Sequence, residues 1–261
     1  KNGNIVYLDQ HVDREQDIFF MRIESEFESS TFQPENFKLE FKSTQAGKFD
    51  MQWWLYTDDE IPKLAIFVSK YDHCLYDLLG RYRSSELNVE ISFIISNHNN
   101  LKHIADKFEI PFYHIPVTKD TKAKAEEKQL ELLQSHKIDF IVLARYMQIV
   151  SGKLIDKYPH KIINIHHSFL PAFVGAKPYH SAFKRGVKII GATSHYITEE
   201  LDAGPIIDQD VAKVSHTYSI DNLIARGRDI EKTILANAVK LHSNRKVMVY
   251  NNKQLFFHKM S

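Results

Sequence analysis

The sequence predicts an α/β fold with a doubly wound, mostly parallel sheet, preceded by a small α+β region. From residue 64 onwards, short apolar runs alternate with stretches of helical period, which is typical of parallel strands joined by crossover helices. Before residue 60, strand-like segments surround one helix instead. The polar stretch 57–63, which contains Pro62, is the expected boundary. We therefore expect a small domain at 1–60 and a larger one at 61–261.

Each segment takes its predicted type from the period of its apolar residues. The small domain is expected to have strands at 4–9, 18–27 and 51–56, and a helix at 34–46 that starts on Pro34. The larger domain is expected to have strands at 64–69, 89–96, 112–115, 140–144, 162–166, 187–197 and 205–214. Its expected helices are at 72–83, 101–108, 122–135, 151–157 and 220–241.

The composition is that of an ordinary globular protein and argues against several classes of function. A formal net charge of +1 over 261 residues gives no field that would attract nucleic acid or an anionic membrane, and no apolar run is long enough to span a bilayer. The single cysteine, Cys74, excludes an internal disulfide framework or a cluster of thiolate ligands. The first ten residues lack an export-signal pattern. We therefore expect a cytoplasmic protein.

Polar residues of catalytic type follow the predicted strand 162–166. Alternation along a strand places Asn164 and His166 on the same side, so an amide donor and an imidazole are presented together at a strand end. Such a pair can bind an oxyanion and move a proton. Taken alone, an Asn and a His at a strand end more often only satisfy backbone groups. His167 should point to the opposite face, so His166, His167 and His180 make poor partners for one ion, and we expect no metal.

An acidic turn precedes the last predicted strand. Alone, the segment 198–205 reads as an ordinary turn, but with Asn164 and His166 its Asp202 supplies the carboxylate that orients an imidazole. Amide, imidazole and carboxylate together suit attack on an acyl carbonyl. The loop 70–74 has no glycine, whereas a usual phosphate cradle needs one. This argues against NAD, ATP or a phosphorylated substrate.

Two motifs carry a resemblance to a known superfamily. The segment Asn164-Ile165-His166 with Ser168 and Leu170-Pro171, and the turn 201–205 (Leu-Asp-Ala-Gly-Pro), resemble the signature of the folate-dependent formyltransferases. The resemblance implies that Asn164, His166 and Asp202 form the catalytic set. It also implies folate binding against two loops: Met147, Gln148, Ile149, Val150, Glu200 and Leu201.

Within the superfamily, the sequence resembles the formyltetrahydrofolate deformylases. The glycine-free loop 70–74, His167 after the catalytic histidine, and the segments 115–118, 143–148 and 175–180 all match that pattern. The resemblance implies hydrolysis of 10-formyltetrahydrofolate to formate and tetrahydrofolate, with formate serving one-carbon and purine metabolism and no cofactor required. Two alternatives stay open: a phosphoribosylglycinamide formyltransferase, and a non-catalytic protein that senses amino acids.

The small N-terminal domain resembles an ACT module that begins at its second strand. Its first strand and helix are not in this sequence, so we expect the sequence to be a fragment of a longer chain. The resemblance implies a regulatory role, a possible amino-acid effector and assembly into a homo-oligomer.

Overall fold

The smaller of two compact units is built from a hairpin and a helix. The computed structural model describes residues 3–28, 32–171 and 178–257, and divides the chain into residues 1–61 with 257–261 and residues 62–256. In the smaller unit, β1 (Gly3–Asp13) pairs antiparallel with β2 (Ile18–Phe27). Helix α1 (Pro34–Phe41) continues into a π-helical turn, Lys42–Ala46. The rings of Phe37, Phe41 and Trp53 pack in succession, which ties the helix to the segment that follows it.

The larger unit contains a seven-stranded sheet. Its strands are β3 (Lys63–Val68), β4 (Glu90–Ser96), β5 (Phe112–His114), β6 (Phe140–Leu143), β7 (Ile162–His166), β8 (Ile189–Tyr196) and β9 (Ile206–Lys213). They lie in the order β5-β4-β3-β6-β7-β8-β9. Strands β3 to β7 are parallel, whereas β8 runs antiparallel to both β7 and β9. The predicted doubly wound, mostly parallel sheet is confirmed.

Helices cover both faces of this sheet. They are α2 (His73–Arg83), α3 (Lys102–Lys107), α4 (Lys122–Ser135), α5 (Gly152–Lys157), α6 (Pro178–Arg185) and α7 (Ile220–Ser243). Side chains of α2, α3, α6 and α7 share one apolar cluster, and those of α4 and α5 share the other. Alternate residues of β3, such as Ile66 and Phe67, enter opposite clusters, because successive side chains of a strand point to opposite faces. Residues buried on both faces explain why β3 reads as a continuous apolar run.

The order of the strands fixes where a ligand can bind. The chain leaves β3 towards β4 and β5 and then returns to lay β6 on the other side of β3. In open α/β sheets, a ligand binds beyond the carboxyl ends of the strands at such a reversal. The loops after β3, β6 and β7 therefore border the expected site. Among the described residues, no helix combines the length and the apolar character that crossing a bilayer requires.

Three features of the structure differ from the sequence prediction. The prediction of a strand at 51–56 is wrong. These residues are irregular and pair with no strand in the described part of the chain. Helix α6 was not predicted. A hairpin of β10 (Val247–Tyr250) and β11 (Lys253–Phe256) was not predicted either, because its short strands follow directly on a long helix.

Candidate active site

The three predicted catalytic side chains meet at the end of β7. Asn164 is the third and His166 the last residue of that strand, so both point to the same side. Asp202 lies in the turn between β8 and β9. Its Oδ1 lies 3.2 Å from Nδ1 of His166. The imidazole and the carboxylate that the sequence predicted to cooperate are therefore in contact.

Asp202 is held as a carboxylate at neutral pH. The hydrogen bond from His166 lowers the pKa of Asp202 below its usual range, and the nearby imidazoles add to this effect, although partial burial acts in the opposite direction. Its backbone has a φ of 57°, in the left-handed region that aspartate tolerates better than most residues. The turn thus presents an ionised group to the imidazole.

The second ring nitrogen of His166 is the one available for chemistry. The side chain of His166 is 7% exposed, and its Nε2 is buried without a hydrogen-bond partner among the residues that the structure describes. Buried polar atoms are normally paired, so one without a partner, beside Asp202 and Asn164, points to a ligand. With Nδ1 directed at Asp202, Nε2 is the atom that would face a substrate.

His195 is a fourth member of the site that sequence reasoning missed. It lies on β8 directly opposite Asn164, and its Nε2 is 3.2 Å from the Asn164 Nδ2 and 3.7 Å from the Asp202 Oδ1. Its Nδ1 lies 2.9 Å from the carbonyl oxygen of Tyr196, which assigns the proton to Nδ1. Burial lowers the pKa of His195, so the ring is neutral and Nε2 accepts from the Asn164 amide. One N–H of Asn164 is thereby fixed, and the other remains to donate.

Backbone contacts hold the turn that carries Asp202. A Cβ on Gly204 would lie 1.8 Å from the carbonyl oxygen of Tyr196, so no larger residue fits there. The Tyr196 N–H donates to the Pro205 carbonyl at 2.9 Å. Asn252, in the turn of the unpredicted β10–β11 hairpin, donates from Nδ2 to the Ala203 carbonyl at 2.8 Å. The hairpin therefore supports the residue next to Asp202, the predicted catalytic carboxylate.

The loops after β3, β4 and β6 are tied together by a buried serine. Ser69 Oγ donates to Asn97 Oδ1 at 2.6 Å and accepts from the Met147 N–H at 2.9 Å. The start of the predicted folate loop is therefore anchored to the centre of the sheet. The sequence offered only the position of Ser69 after an apolar run, which did not identify this role.

The six residues predicted to bind folate lie in two loops: Met147, Gln148, Ile149, Val150, Glu200 and Leu201. Met147, Ile149 and Leu201 are 47%, 65% and 63% exposed. A Cβ on Gly152 would lie 2.6 Å from Oε1 of Glu199, so the ends of the two loops adjoin. Exposed apolar side chains on adjoining loops beside the predicted catalytic residues suit a flat heterocycle.

The predicted geometry of the two adjacent histidines needs a correction. Strand β7 ends at His166, so His167 lies beyond the strand, and the two ring centroids are 5.4 Å apart rather than on opposite faces. Within the described residues, a group of metal-type ligands does occur elsewhere, where atoms of His73, Cys74 and Glu231 lie within 4.8 Å of one another. Of the segment 175–180, which matches the deformylase pattern in the sequence, residues 175–177 lie outside the described residues.

Comparison with known proteins first defines the class. The family model described as formyl transferase matches residues 62–239. A phosphoribosylglycinamide formyltransferase structure from Anaplasma phagocytophilum has a TM-score of 0.70 at 30% identity, covering 77% of this chain and 97% of that chain.

Two further relatives are more similar. A formyltetrahydrofolate deformylase from Synechocystis sp. is 48% identical over 98% of this chain and 89% of that protein. A crystal structure of a formyltetrahydrofolate deformylase from Pseudomonas syringae has a TM-score of 0.95 at 45% identity, covering 98% of this chain and 86% of that chain. The chain belongs to the formyltetrahydrofolate deformylase family of the formyl transferases.

Proposed function

We propose that this chain is an enzyme that hydrolyses 10-formyltetrahydrofolate to formate and tetrahydrofolate. The observation that carries the proposal is the contact of His166 with Asp202 beside the amide of Asn164, with one imidazole nitrogen left without a partner in the described chain. This arrangement supplies a proton carrier, a charge partner and an oxyanion donor. Membership of a family whose named members are deformylases supports the same reaction.

The pterin would bind between the two adjoining loops that border the site. Backbone groups of 147–150 and of the loop before Asp202 would accept and donate hydrogen bonds to the ring. The exposed side chains of Met147, Ile149 and Leu201 would cover its faces. The formyl group would then lie between Asn164 and His166, at the end of β7.

The residues present can carry the hydrolysis without a cofactor. Water, held by Asp202 and His166, adds to the formyl carbon. The carbonyl oxygen becomes an oxyanion, which accepts from the second N–H of Asn164 and from Nε2 of protonated His166. Each such donor contributes roughly 3–4 kcal/mol to stabilising the transition state. His166, which takes up the proton that water loses, then gives it to the folate nitrogen as the carbon–nitrogen bond breaks, which releases formate and tetrahydrofolate.

The competing reaction is transfer of the formyl group to the amine of a phosphorylated substrate. The glycine-free loop 70–74, with Tyr71 and His73 in it, offers no usual phosphate cradle. The extent of structural similarity also favours the hydrolase. The deformylase structure matches 98% of this chain, whereas the transferase structure matches 77%. A purely amino-acid-sensing protein would not need the contact of His166 with Asp202.

The decisive experiment measures formate released from 10-formyltetrahydrofolate with no amine present. We expect equal rates with and without glycinamide ribonucleotide, and also after exhaustive treatment with EDTA, because the proposed mechanism uses only side chains. Turnover that required the amine would show that the chain is a transferase. Loss of activity on chelation, restored by a divalent ion, would show that a metal takes part.

We also propose that the smaller unit is ACT-like and regulates the enzyme through assembly. The apolar side chains of Ile5, Leu8 and Phe19 on β1 and β2 are about half exposed, which suits contact with another chain. Light scattering should give a homo-oligomer, and single amino acids should change formate release if one is an effector. A monomer whose formate release is unchanged by each of the twenty amino acids would contradict the proposal.

The buried free thiol of Cys74 fits a cytoplasmic location.

A further inference from the structure

A buried carboxylate lies near the active site but outside the catalytic set. Glu231, on α7, is 1% exposed. Its Oε2 lies 2.8 Å from Nε2 of His73 and 3.4 Å from a terminal guanidinium nitrogen of Arg145, and its Oε1 accepts from the Tyr179 hydroxyl at 2.7 Å. Burial raises the pKa of Glu231, but the hydrogen bond from His73 and the charge of Arg145 outweigh it and leave the pKa lowered. The protein therefore holds an ionised carboxylate in its interior.

The groups around Glu231 offer more donors than one carboxylate uses. Nε of Arg145 is buried and makes no hydrogen bond within the described parts of the chain, and Nη1, the nitrogen that faces Glu231, is engaged only in the 3.4 Å ion pair. Arg145 is 8% exposed, and its guanidinium lies over the ring of Tyr71 at 4.8 Å. The guanidinium of Arg228 lies 5.9 Å from the same ring. Clustered guanidinium and imidazole donors of this kind bind oxyanions.

The cluster also lies at a place in the fold where anions commonly bind. His73 is the first residue of α2, an 11-residue helix, and the N-terminal end of a helix attracts negative charge. The helix follows β3, beside the reversal in strand order where open sheets bind ligands. The ring of His167 lies between the cluster and the active site, with its centroid 6.0 Å from Tyr179 and 5.4 Å from His166.

We propose that the Glu231 carboxylate fills an anion-binding pocket beside the active site, and thereby excludes an anionic second substrate and leaves water as the nucleophile. In place of the Glu231 carboxylate, the surrounding donors would bind one small oxyanion, a carboxylate or a phosphate group. An internal carboxylate is present at all times and needs no association step, so it outcompetes a free anion in solution. The inference rests on the proposed function, since it explains why formyl transfer ends on water.

A metal ion would fit the same residues less well. His73, Cys74 and Glu231 could offer three ligand atoms. The guanidinium of Arg145 next to the carboxylate repels a cation. Burial holds the pKa of Cys74 well above its usual range, so the thiol stays protonated, whereas a metal needs the thiolate. The charges around the cluster therefore favour an anion.

The test replaces the internal anion with an external one. Glu231→Ala removes the carboxylate and opens its space, whereas the matched control Glu231→Gln fills the space without charge. Thermal midpoints and calorimetric binding are measured in acetate and in inorganic phosphate, with chloride at equal ionic strength as reference. We expect either oxyanion to raise the midpoint of Glu231→Ala saturably, by about 5 °C. The wild type and Glu231→Gln should neither bind nor respond.

Equal effects of chloride and oxyanions on Glu231→Ala, or phosphate binding to the wild type of equal strength, would overturn the inference. If Glu231→Ala does not fold unaided, it is refolded from denaturant. Recovery in acetate but not in chloride supports the pocket, and any other result contradicts it. No folate enters these measurements. If the wild-type chain released no formate, only the proposed function would be contradicted. If the wild type released formate normally but oxyanions did not stabilise Glu231→Ala, only this inference would be contradicted.

Discussion

The two units of this chain use similar apolar side chains with opposite results. In the larger unit, Ile66 and Phe67 are fully buried between helices on both faces of the sheet. In the smaller unit, Ile5 and Phe19 are 57% and 50% exposed on a two-stranded hairpin. Apolar content alone therefore does not make a core, because a sheet needs a covering layer on the face that it buries.

The difference has a counterpart in function. Asn164, His166 and His195 lie on strands of the seven-stranded sheet, so their directions are set by packing and by strand register. No residue of 3–28 or 32–61 belongs to the proposed catalytic set. The layered unit can fix reacting atoms within a fraction of an ångström. The smaller unit has exposed apolar side chains of the kind that chains bury when they associate. The following predictions test this division.

The largest effect is expected for Asp202→Asn. An amide cannot stabilise the imidazolium of His166 as a carboxylate does, so formate release should fall by about 10⁴-fold, the loss seen for the comparable change in a serine protease triad. The far-ultraviolet spectrum and unfolding midpoint should stay close to those of the wild type. Asp210→Asn, an exposed change on β9, is the control and should keep full activity. Near-normal turnover of Asp202→Asn would reduce the turn to a purely structural element.

A matched pair of phenylalanines tests the difference in burial. Phe67→Ala in the sheet should lower the free energy of unfolding by about 3–5 kcal/mol, because it leaves a cavity between two packed layers. Phe19→Ala, which removes a half-exposed ring, should cost less than about 1 kcal/mol. Urea unfolding followed by fluorescence measures both. Equal losses would mean that the hairpin ring is buried by contacts with another chain.

A smaller effect is expected where the unpredicted hairpin braces the site. Asn252→Ala removes the hydrogen bond to the Ala203 carbonyl, so kcat should fall several-fold while KM changes little. Asn251→Ala is a matched control, because Asn251 also has a positive φ but, among the described residues, makes no hydrogen bond with the turn that carries Asp202. A loss of kcat that is the same in both variants would mean that backbone strain, and not the brace, is responsible.

The smallest effect is expected for removal of the smaller unit. A chain that begins at Pro62 retains every residue of the proposed site, so a folate analogue should bind with a Kd within about threefold of the wild-type value, a difference of less than 1 kcal/mol. Calorimetry on the folded, truncated protein measures this. A folded protein that bound no folate would show that the smaller unit contributes directly to the pocket.

Much of the fold and the core of the site could be predicted from the sequence, for identifiable reasons. Strands such as β7 were placed to the residue, since buried parallel strands read as apolar runs with clear ends. The contact of His166 with Asp202 followed from strand alternation together with a resemblance that supplied the partner. Alternation alone could not choose between a catalytic pair and a satisfied strand end.

The residues that were missed depend on pairing between distant segments. His195 lies opposite Asn164 only through the register of β7 with β8, and Asn252 reaches Ala203 across 49 positions. Glu231 meets His73 across 158 positions of the chain. Local patterns carry no information on such contacts. The strand wrongly predicted at 51–56 shows the same limit, because an apolar segment becomes a strand only when a neighbour pairs with it.

The antiparallel strand β8 limits where this chain can accept inserted residues. Side chains alternate along a strand, so one extra residue in Ile189–Tyr196 would turn His195 away from Asn164 and shift the turn that holds Asp202. One inserted residue would thus displace His195 and Asp202 from the proposed site without changing either of them. The turn between β1 and β2 carries no such phase relation, so extra residues there would lengthen a loop and leave the chemistry in place.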